Sequence, residues 1–200
     1  MPSLPEALHI PTALRSATHP FFIAGGWAPD LFIGRTTRTH ADLDIAISRD
    51  DQLYFQNLLS NWDLQACDPP GSGTLRRWTL GERLENPIHN VWARPDVDAP
   101  WPLELLLCDF TETEWVYRRN TKIRGPVESF GWKHEIGLRV IAPEIQLLYK
   151  SRNPREKDDA DFENCLPRFS IEQKAFLYEA IVIDSGTSQK WVEELRASSH

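Results

Sequence analysis

Two adjacent glycines, Gly25 and Gly26, separate an apolar run from a helical pattern, and they constrain the fold more than any other feature. The apolar run Phe21–Ala24 predicts a short strand. Trp27–Gly34 predicts a helix with a proline in its first turn and a glycine at its end. Glycine lets the backbone turn sharply and approach an anion, and a helix amino terminus favours negative charge. The segment therefore predicts a strand–turn–helix unit whose backbone amides can face an anionic ligand.

Two aspartates, Asp42 and Asp44, begin a segment of alternating polar and apolar residues that extends to Ser48. The alternation predicts a strand with both carboxylates on one face. Two carboxylates this close repel each other unless a cation lies between them, and Mg²⁺ is held by carboxylates together with substrate phosphates. Arg38 and His40 add positive charge just before the strand. Together these residues predict a site for a nucleoside triphosphate and a divalent metal ion.

The chain changes from β-type to helical patterns near residue 142. Further strands are expected at Asp63–Cys67, Leu75–Leu80, His89–Ala93 and Leu103–Phe110. Later helices are expected at Pro143–Ser151, Glu156–Leu166, Ser170–Ile183 and Thr187–Ala197. We therefore predict an α+β fold: a domain at residues 1–141, with a mixed β-sheet and flanking helices, and a small helical region at residues 142–200.

Several local expectations accompany this division of the chain. A helix over Leu4–Ala17 is expected to be interrupted at Pro11, and Ile123–Val140 has too few apolar positions to predict a regular element. A helix is also expected over Asp50–Trp62. Candidate helix N-caps are Asp50 or Asp51, Ser170 with Gln173 in capping-box spacing, and Thr187 or Ser188.

Composition limits the function classes. The chain has 22 Lys and Arg residues against 29 Asp and Glu residues, a net charge of −7, which makes a nucleic-acid partner unlikely because such partners need a basic face. Its three cysteines are an odd number at wide spacing, which disfavours disulfides and structural zinc. No apolar run reaches the roughly 18 residues that span a bilayer, and no signal-peptide pattern precedes the first helix. A cytoplasmic location without membrane contact is therefore expected.

The segment from Gly25-Gly26-Trp27-Ala28 to Asp42-Leu43-Asp44 resembles the nucleotidyltransferase superfamily of the polymerase-β type. Within that superfamily it is similar to aminoglycoside 2''-adenylyltransferases and lincosamide nucleotidyltransferases. The helical tail, with Tyr149-Lys150 and Arg155-Glu156-Lys157-Asp158, resembles the same relatives, so the likeness spans roughly residues 20–167. It implies a nucleotidyltransferase-type fold and transfer of AMP from ATP, or of another nucleoside monophosphate, to a hydroxyl of a small-molecule acceptor of the aminoglycoside type.

The resemblance also implies a third acidic residue on a neighbouring strand. Glu104 and Asp109 both lie in the strand predicted at Leu103–Phe110. A charged residue inside an apolar strand is costly unless it is paired or bound to metal, which favours Glu104, while Asp109 at the strand end remains the alternative. The resulting catalytic and metal set is Asp42, Asp44 and Glu104 with Mg²⁺.

The nucleotide-binding set combines the glycine turn with nearby cations. We expect it to comprise Gly25, Gly26, Arg38, His40 and Lys150. Lys150 follows the apolar face of its helix and is expected to point inward. The alternative for Lys157 and Asp161, four residues apart, is an ordinary salt bridge. Two other functions remain open at this point: a regulatory or toxin–antitoxin-type transferase acting on a protein or RNA, and a non-catalytic nucleotide-binding relic.

Overall fold

A computed structural model describes residues 8–198 of the chain and places a mixed ten-stranded sheet at its centre. The predicted α+β class is confirmed. The strands are β1 (Phe21–Ile23), β2 (Leu43–Ser48), β3 (Asp63–Cys67), β4 (Leu75–Arg77), β5 (Asn90–Arg94), β6 (Leu103–Phe110), β7 (Glu114–Val116), β8 (Arg124–Pro126), β9 (Gly131–Lys133) and β10 (Arg139–Ile141). The main path runs β4-β3-β5-β6-β2-β1-β10-β9, and β7 joins β6 to β8. The pairs β2–β6 and β1–β10 are parallel, and the other pairs are antiparallel.

Seven α-helices lie within the described residues. They are α1 (Thr12–Arg15), α2 (Trp27–Ile33), α3 (Gln52–Leu58), α4 (Pro143–Ser151), α5 (Glu156–Cys165), α6 (Ile171–Ser185) and α7 (Lys190–Ala197). The helix α2 packs against α4 and α5, so the glycine turn is held next to the helical tail. Buried side chains from the sheet and from the tail form one hydrophobic cluster. No helix in this part of the chain is both long and apolar enough to cross a membrane.

The strand–turn–helix prediction around the two glycines is confirmed. The turn after β1 contains Gly25 at a φ of +62°, a backbone conformation that residues with a side chain rarely adopt. Helix α2 ends at Gly34, which has the left-handed conformation common after a helix carboxyl terminus. The indole of Trp27 in the first turn donates to the backbone carbonyl of Asp42, and this bond links the start of α2 to the start of β2.

Strands β2 and β6 are neighbours at the centre of the sheet, and their register sets the position of the acidic residues. The apolar positions of β2, such as Ile45 and Ile47, are buried, as are Leu105 and Leu107 on β6. The parallel register pairs Asp44 with Glu104. Because side chains alternate along both strands, the two carboxylates emerge on the same face, opposite the buried aliphatic side chains.

The largest correction concerns Ile123–Val140, which was expected to be irregular. The structure places three strands wholly or partly within it, β8, β9 and β10, and a 3-10 turn at Val127–Phe130. Each of these strands has three residues, which is too short for an alternation to stand out. Leu75–Leu80 likewise shortens to Leu75–Arg77.

The predicted first and last residues of several helices needed smaller corrections. Near the amino terminus the helix is only Thr12–Arg15, and the part of the expectation over residues 4–7 lies outside the described residues. The segment predicted at Asp50–Trp62 divides into a 3-10 turn at Arg49–Asp51 and α3, and the side chain of Ser48 rather than an aspartate caps the turn. The tail helices α4 and α5 match their predicted positions closely.

Of the N-caps predicted for the last two helices, one is confirmed and the other is wrong. The capping box of Ser170 and Gln173 is confirmed at the start of α6. Helix α7 begins later than expected because Gln189, and not Thr187 or Ser188, accepts from the first free amide. All three cysteines are buried free thiols, as the sequence indicated.

Candidate active site

Three carboxylates converge where β2 begins beside β6. Asp42 immediately precedes β2, Asp44 is its second residue, and Glu104 is the partner of Asp44 on β6. One oxygen from each of the three lies within 4.8 Å of the other two. Asn90 on β5 donates its side-chain amide to Glu104 Oε1 at 2.7 Å and so fixes the orientation of this carboxyl. The three acidic residues predicted as a set are therefore brought together, on three neighbouring positions of the central sheet.

Burial and mutual repulsion dominate the electrostatics of this cluster. Burial raises the pKa of Asp44, with a hydrogen bond to Glu104 opposing the shift and the charge of Asp42 adding to it. Burial, followed by the charge of Asp44, raises the pKa of Glu104 to about 9. The pair of carboxyls thus holds a proton at neutral pH, as two close acids do when no cation separates them. The donor set of three carboxylates suits a hard divalent cation such as Mg²⁺.

Asp109, the alternative third carboxylate, lies outside this cluster. It is near the far end of β6 and accepts from Arg49 Nε at 2.6 Å. Asn86 also donates to it. The guanidinium of Arg49 additionally donates to two backbone carbonyls, so this pair belongs to the packing of the loop before β5. Of the two alternatives left open by the sequence, the structure therefore brings Glu104 to the aspartates.

The glycine turn lies directly against Asp44 and against the basic residues that precede β2. A Cβ at Gly25 would overlap the carboxylate of Asp44, and one at Gly26 would overlap Arg38 and His40. The amide of Gly25 donates to Gln146 Oε1 at 2.7 Å, so the turn is bonded to α4. Because Gly25 and Gly26 have no side chains, the turn can lie in contact with both β2 and the basic loop before β2.

Arg38 and His40 are held by buried acids. His40 Nε2 donates to Asp30 Oδ2 at 2.6 Å, and Asp30 is fully buried in α2. The Nδ1 atom of the same ring then accepts from Arg38 Nη1 at 3.1 Å, which defines the neutral Nε2–H tautomer. Arg38 also donates Nε and Nη2 to the two oxygens of Asp161 on α5, each at 3.3 Å. The basic loop is thus fastened to both α2 and the tail.

Lys150 does point inward, but its ammonium group has acidic partners within the protein. It pairs with Asp158 at 3.3 Å and makes a short contact with Asp161, and both aspartates are buried. Asp158 in turn pairs with Arg155 at 2.8 Å. Asp161 therefore pairs with Arg38 and Lys150, and the ordinary salt bridge to Lys157 considered from the sequence is wrong. The two aspartates orient cations around the site.

These residues surround a cavity of about 470 Å³. All eight of the predicted site residues line it, with the three carboxylates at one end of β2 and β6. The sequence analysis missed several other lining residues, among them Arg118, Arg119, Gln146, Tyr149 and His89. Gln146 and Tyr149 belong to the helical segment that carries the resemblance, whereas Arg118, Arg119 and His89 lie in segments without a motif. The adjacency of Arg118 and Arg119 is visible in the sequence, but their position on the cavity is visible only in the folded chain.

Comparisons with known proteins agree with this architecture. A family model described as aminoglycoside-2''-adenylyltransferase matches residues 6–67, the part that carries the glycine turn and the two aspartates. The crystal structure of ANT(2'')-Ia in complex with adenylyl-2''-tobramycin superposes with a TM-score of 0.52 and 13% identity, covering 84% of this chain and 90% of that chain. The solution structure of the antibiotic-resistance factor ANT(2'')-Ia superposes with a TM-score of 0.51 and 16% identity, covering 93% of this chain and 84% of that chain.

A third solved structure is similar over a shorter part of the chain. The lincosamide antibiotic adenylyltransferase LnuA, with lincomycin bound, gives a TM-score of 0.48 and 16% identity, covering 72% of this chain and 84% of that chain. No curated protein sequence matches the chain significantly. The resemblance predicted from the sequence is supported over residues 6–67 by the family match, and the nucleotidyltransferase-type fold is confirmed by the two ANT(2'')-Ia structures.

Proposed function

We propose that this protein is a nucleotidyltransferase that moves a nucleoside monophosphate from a nucleoside triphosphate, ATP first among them, to a hydroxyl of a small-molecule acceptor. The observation that carries the proposal is the convergence of Asp42, Asp44 and Glu104 within 4.8 Å of one another, at a cavity that basic side chains also line. Transfer from a triphosphate requires carboxylates that bind a metal ion and basic side chains that hold the phosphates. This cavity has both.

The same three residues would hold Mg²⁺. The fit rests on the donor set, three carboxylates that cannot all be charged without a cation, as the raised pKa values of Asp44 and Glu104 show. When bound, the ion would neutralise charge on the triphosphate and on the attacked phosphorus. The chain's own task is to keep the three oxygens in place, which the β2–β6 register and the Asn90 hydrogen bond do.

In the transfer step, the oxygen of the acceptor hydroxyl forms a bond to the α-phosphorus while the bond from that phosphorus to the bridging oxygen breaks. Pyrophosphate leaves with the electron pair, and the hydroxyl proton goes to a base. With a cation bound beside it, the deprotonated carboxylate of Glu104 would be this base; alternatively, Glu104 would be the third metal ligand and the proton would pass to solvent water. Of the basic residues, Lys157 is exposed and has no ion pair among the described residues, so it is free to contact the leaving pyrophosphate. Arg38 and Lys150 are held in position by Asp161.

The acceptor is proposed to be a small molecule with a free hydroxyl. The ANT(2'')-Ia structure contains adenylyl-2''-tobramycin, so an antibiotic hydroxyl is the first class to test for this chain. We place the activity in the cytoplasm, where ATP is the most abundant nucleotide donor. The acidic net charge of −7 gives no reason to expect a nucleic-acid acceptor.

The direct test is pyrophosphate release by the purified chain with Mg²⁺, each of the four common ribonucleoside triphosphates, and a panel of aminoglycosides and lincosamides, with product masses measured in parallel. The matched pair of variants is Asp42→Asn at the site and Asp98→Asn at an exposed position. We expect acceptor-dependent release that Asp42→Asn abolishes and Asp98→Asn leaves unchanged. Release that survives in Asp42→Asn would overturn the proposal.

A further inference from the structure

Two adjacent arginines, Arg118 and Arg119, follow β7 and lie on the wall of the catalytic cavity. They also line a second cavity of about 480 Å³ that continues from the first. This second cavity includes Pro70 and Gly71 from the β3–β4 connection, and it does not include the glycine turn or the two aspartates. The arginines therefore stand at the passage between the nucleotide end of the site and a space with no assigned occupant.

Their bonding differs from that of three other cations around the site. Arg38, Lys150 and Arg155 each pair with an aspartate of α5. Neither Arg118 nor Arg119 forms an ion pair with any carboxylate in residues 8–198. Arg119 Nη1 donates to the backbone carbonyl of Tyr149 at 2.7 Å, and its guanidinium lies 5.8 Å from the centre of that ring.

Arg118 has no hydrogen bond to any residue that the structure describes, although its side chain is largely removed from solvent. Burial, followed by the charge of Arg119, lowers the pKa of Arg118. The same positive field reaches His89 on the other side of the passage, where burial and then Arg118 lower the pKa to about 4. Guanidinium groups stay charged, and two of them side by side in a cavity are unfavourable unless an anion joins them.

We propose that Arg118 and Arg119 form a subsite for an anionic group, a carboxylate or a phosphate, carried by the acceptor. This inference rests on the proposed function and narrows its substrate class. The arginine pair lines both cavities, and the second cavity includes neither the glycine turn nor Asp42. Lys150, Arg152 and Arg155 also line the second cavity but are paired with aspartates, so the unpaired arginines are the cations there that can receive a group of the acceptor. A polycationic aminoglycoside would meet these two positive charges there, so among hydroxyl acceptors the subsite favours an anionic or zwitterionic compound over a polycation.

The test is binding of inorganic phosphate, measured by calorimetry on protein already saturated with Mg²⁺ and a non-hydrolysable ATP analogue, and on nucleotide-free protein. The variants are Arg118→Gln in the cavity and Arg77→Gln at an exposed position. We expect phosphate to bind the nucleotide complex of the wild type and of Arg77→Gln. In Arg118→Gln its affinity should fall by about tenfold or more, as for loss of a charge-assisted hydrogen bond. Nucleotide affinity and melting temperature should be retained, since no internal partner of Arg118 is lost.

Other outcomes separate this inference from the proposed function. If Arg118→Gln instead weakens nucleotide binding tenfold and phosphate does not bind the nucleotide complex, the arginines hold the triphosphate and the acceptor assignment is wrong. If Arg118→Gln changes neither affinity but lowers the melting temperature, the residue is structural and the subsite does not exist. If the wild type binds phosphate through Arg118 but no nucleotide, the anion subsite stands and the nucleotidyltransferase proposal fails.

Discussion

Replacing Glu104 by glutamine should stabilise the protein when no divalent cation is present. The unfolded chain releases the Glu104 proton near its ordinary pKa of 4.5, whereas the folded protein keeps it until pH about 9. Between these values folding must take up a proton, so the free energy of unfolding falls as pH rises through this window. That stability is fully present below pH 4.5 and fully lost above pH 9. Glutamine has no proton to take up, and its amide can still donate to Asp44 and accept from Asn90.

The magnitude follows from the two pKa values. Each pKa unit is worth about 1.36 kcal/mol, so at pH 7 the interval from 4.5 corresponds to about 3 kcal/mol. Glu104→Gln should therefore raise the free energy of unfolding by about 3 kcal/mol at pH 7 in EDTA and by nothing at pH 4. Denaturant melts at pH 4, 5.5, 7 and 8.5 measure both values.

The control is Glu112→Gln, an exposed glutamate without contacts, which should leave the pH profile of the wild type unchanged. If Glu104 were instead the acid of a structural ion pair, its replacement would lower stability by about 3–5 kcal/mol at neutral pH. A Glu104→Gln variant that is destabilised at pH 7, or that shows the same pH profile as the wild type, would refute the reasoning.

Two more variants test the supports of the site. Lys150→Ala removes the cation shared by two buried aspartates of α5, so it should lower the free energy of unfolding by about 3 kcal/mol in denaturant melts; unchanged stability would show that the pairing is not maintained in solution. Gly25→Ala should abolish nucleotide binding in calorimetry, because the new Cβ overlaps Asp44 and the residue has a positive φ. The control is Gly34→Ala, which also has a positive φ but open space around it. This variant should lose only about 1 kcal/mol of stability and should still bind nucleotide. Equal nucleotide affinity in these two glycine variants would show that nucleotide binding does not depend on the close contact between Gly25 and Asp44.

Local patterns were enough to predict the elements that carry the site. The alternation in β2 placed Asp42 and Asp44 on one face, and the leucines around Glu104 indicated a central strand. Strand register is a tertiary property, so the sequence left Glu104 and Asp109 as alternatives until β6 was paired with β2. The three-residue strands that lie wholly or partly between Ile123 and Val140 could not be predicted, because three residues are too few to show a periodic pattern of polar and apolar side chains.

The partners of the basic residues could not be predicted from sequence distance. Lys150 and Asp161 are eleven residues apart on separate helices, and Arg38 reaches Asp161 across 123 positions. Spacing along one helix suggested Lys157 instead, because sequence spacing reveals only pairs three or four residues apart on the same helix. Arg118 and Arg119 belong to no motif, and only the folded chain places them at the cavity.

The central claim is that Asp42, Asp44 and Glu104 hold a metal ion that lets the cavity bind a nucleoside triphosphate. Calorimetric titration of a non-hydrolysable ATP analogue, with Mg²⁺ and with EDTA, tests it most directly on the wild type, Asp44→Asn and the exposed control Asp98→Asn. The account predicts binding to the wild type and to Asp98→Asn only when Mg²⁺ is present, and none to a folded Asp44→Asn. Equal affinity of Asp44→Asn and the wild type, or binding that does not depend on Mg²⁺, would contradict it.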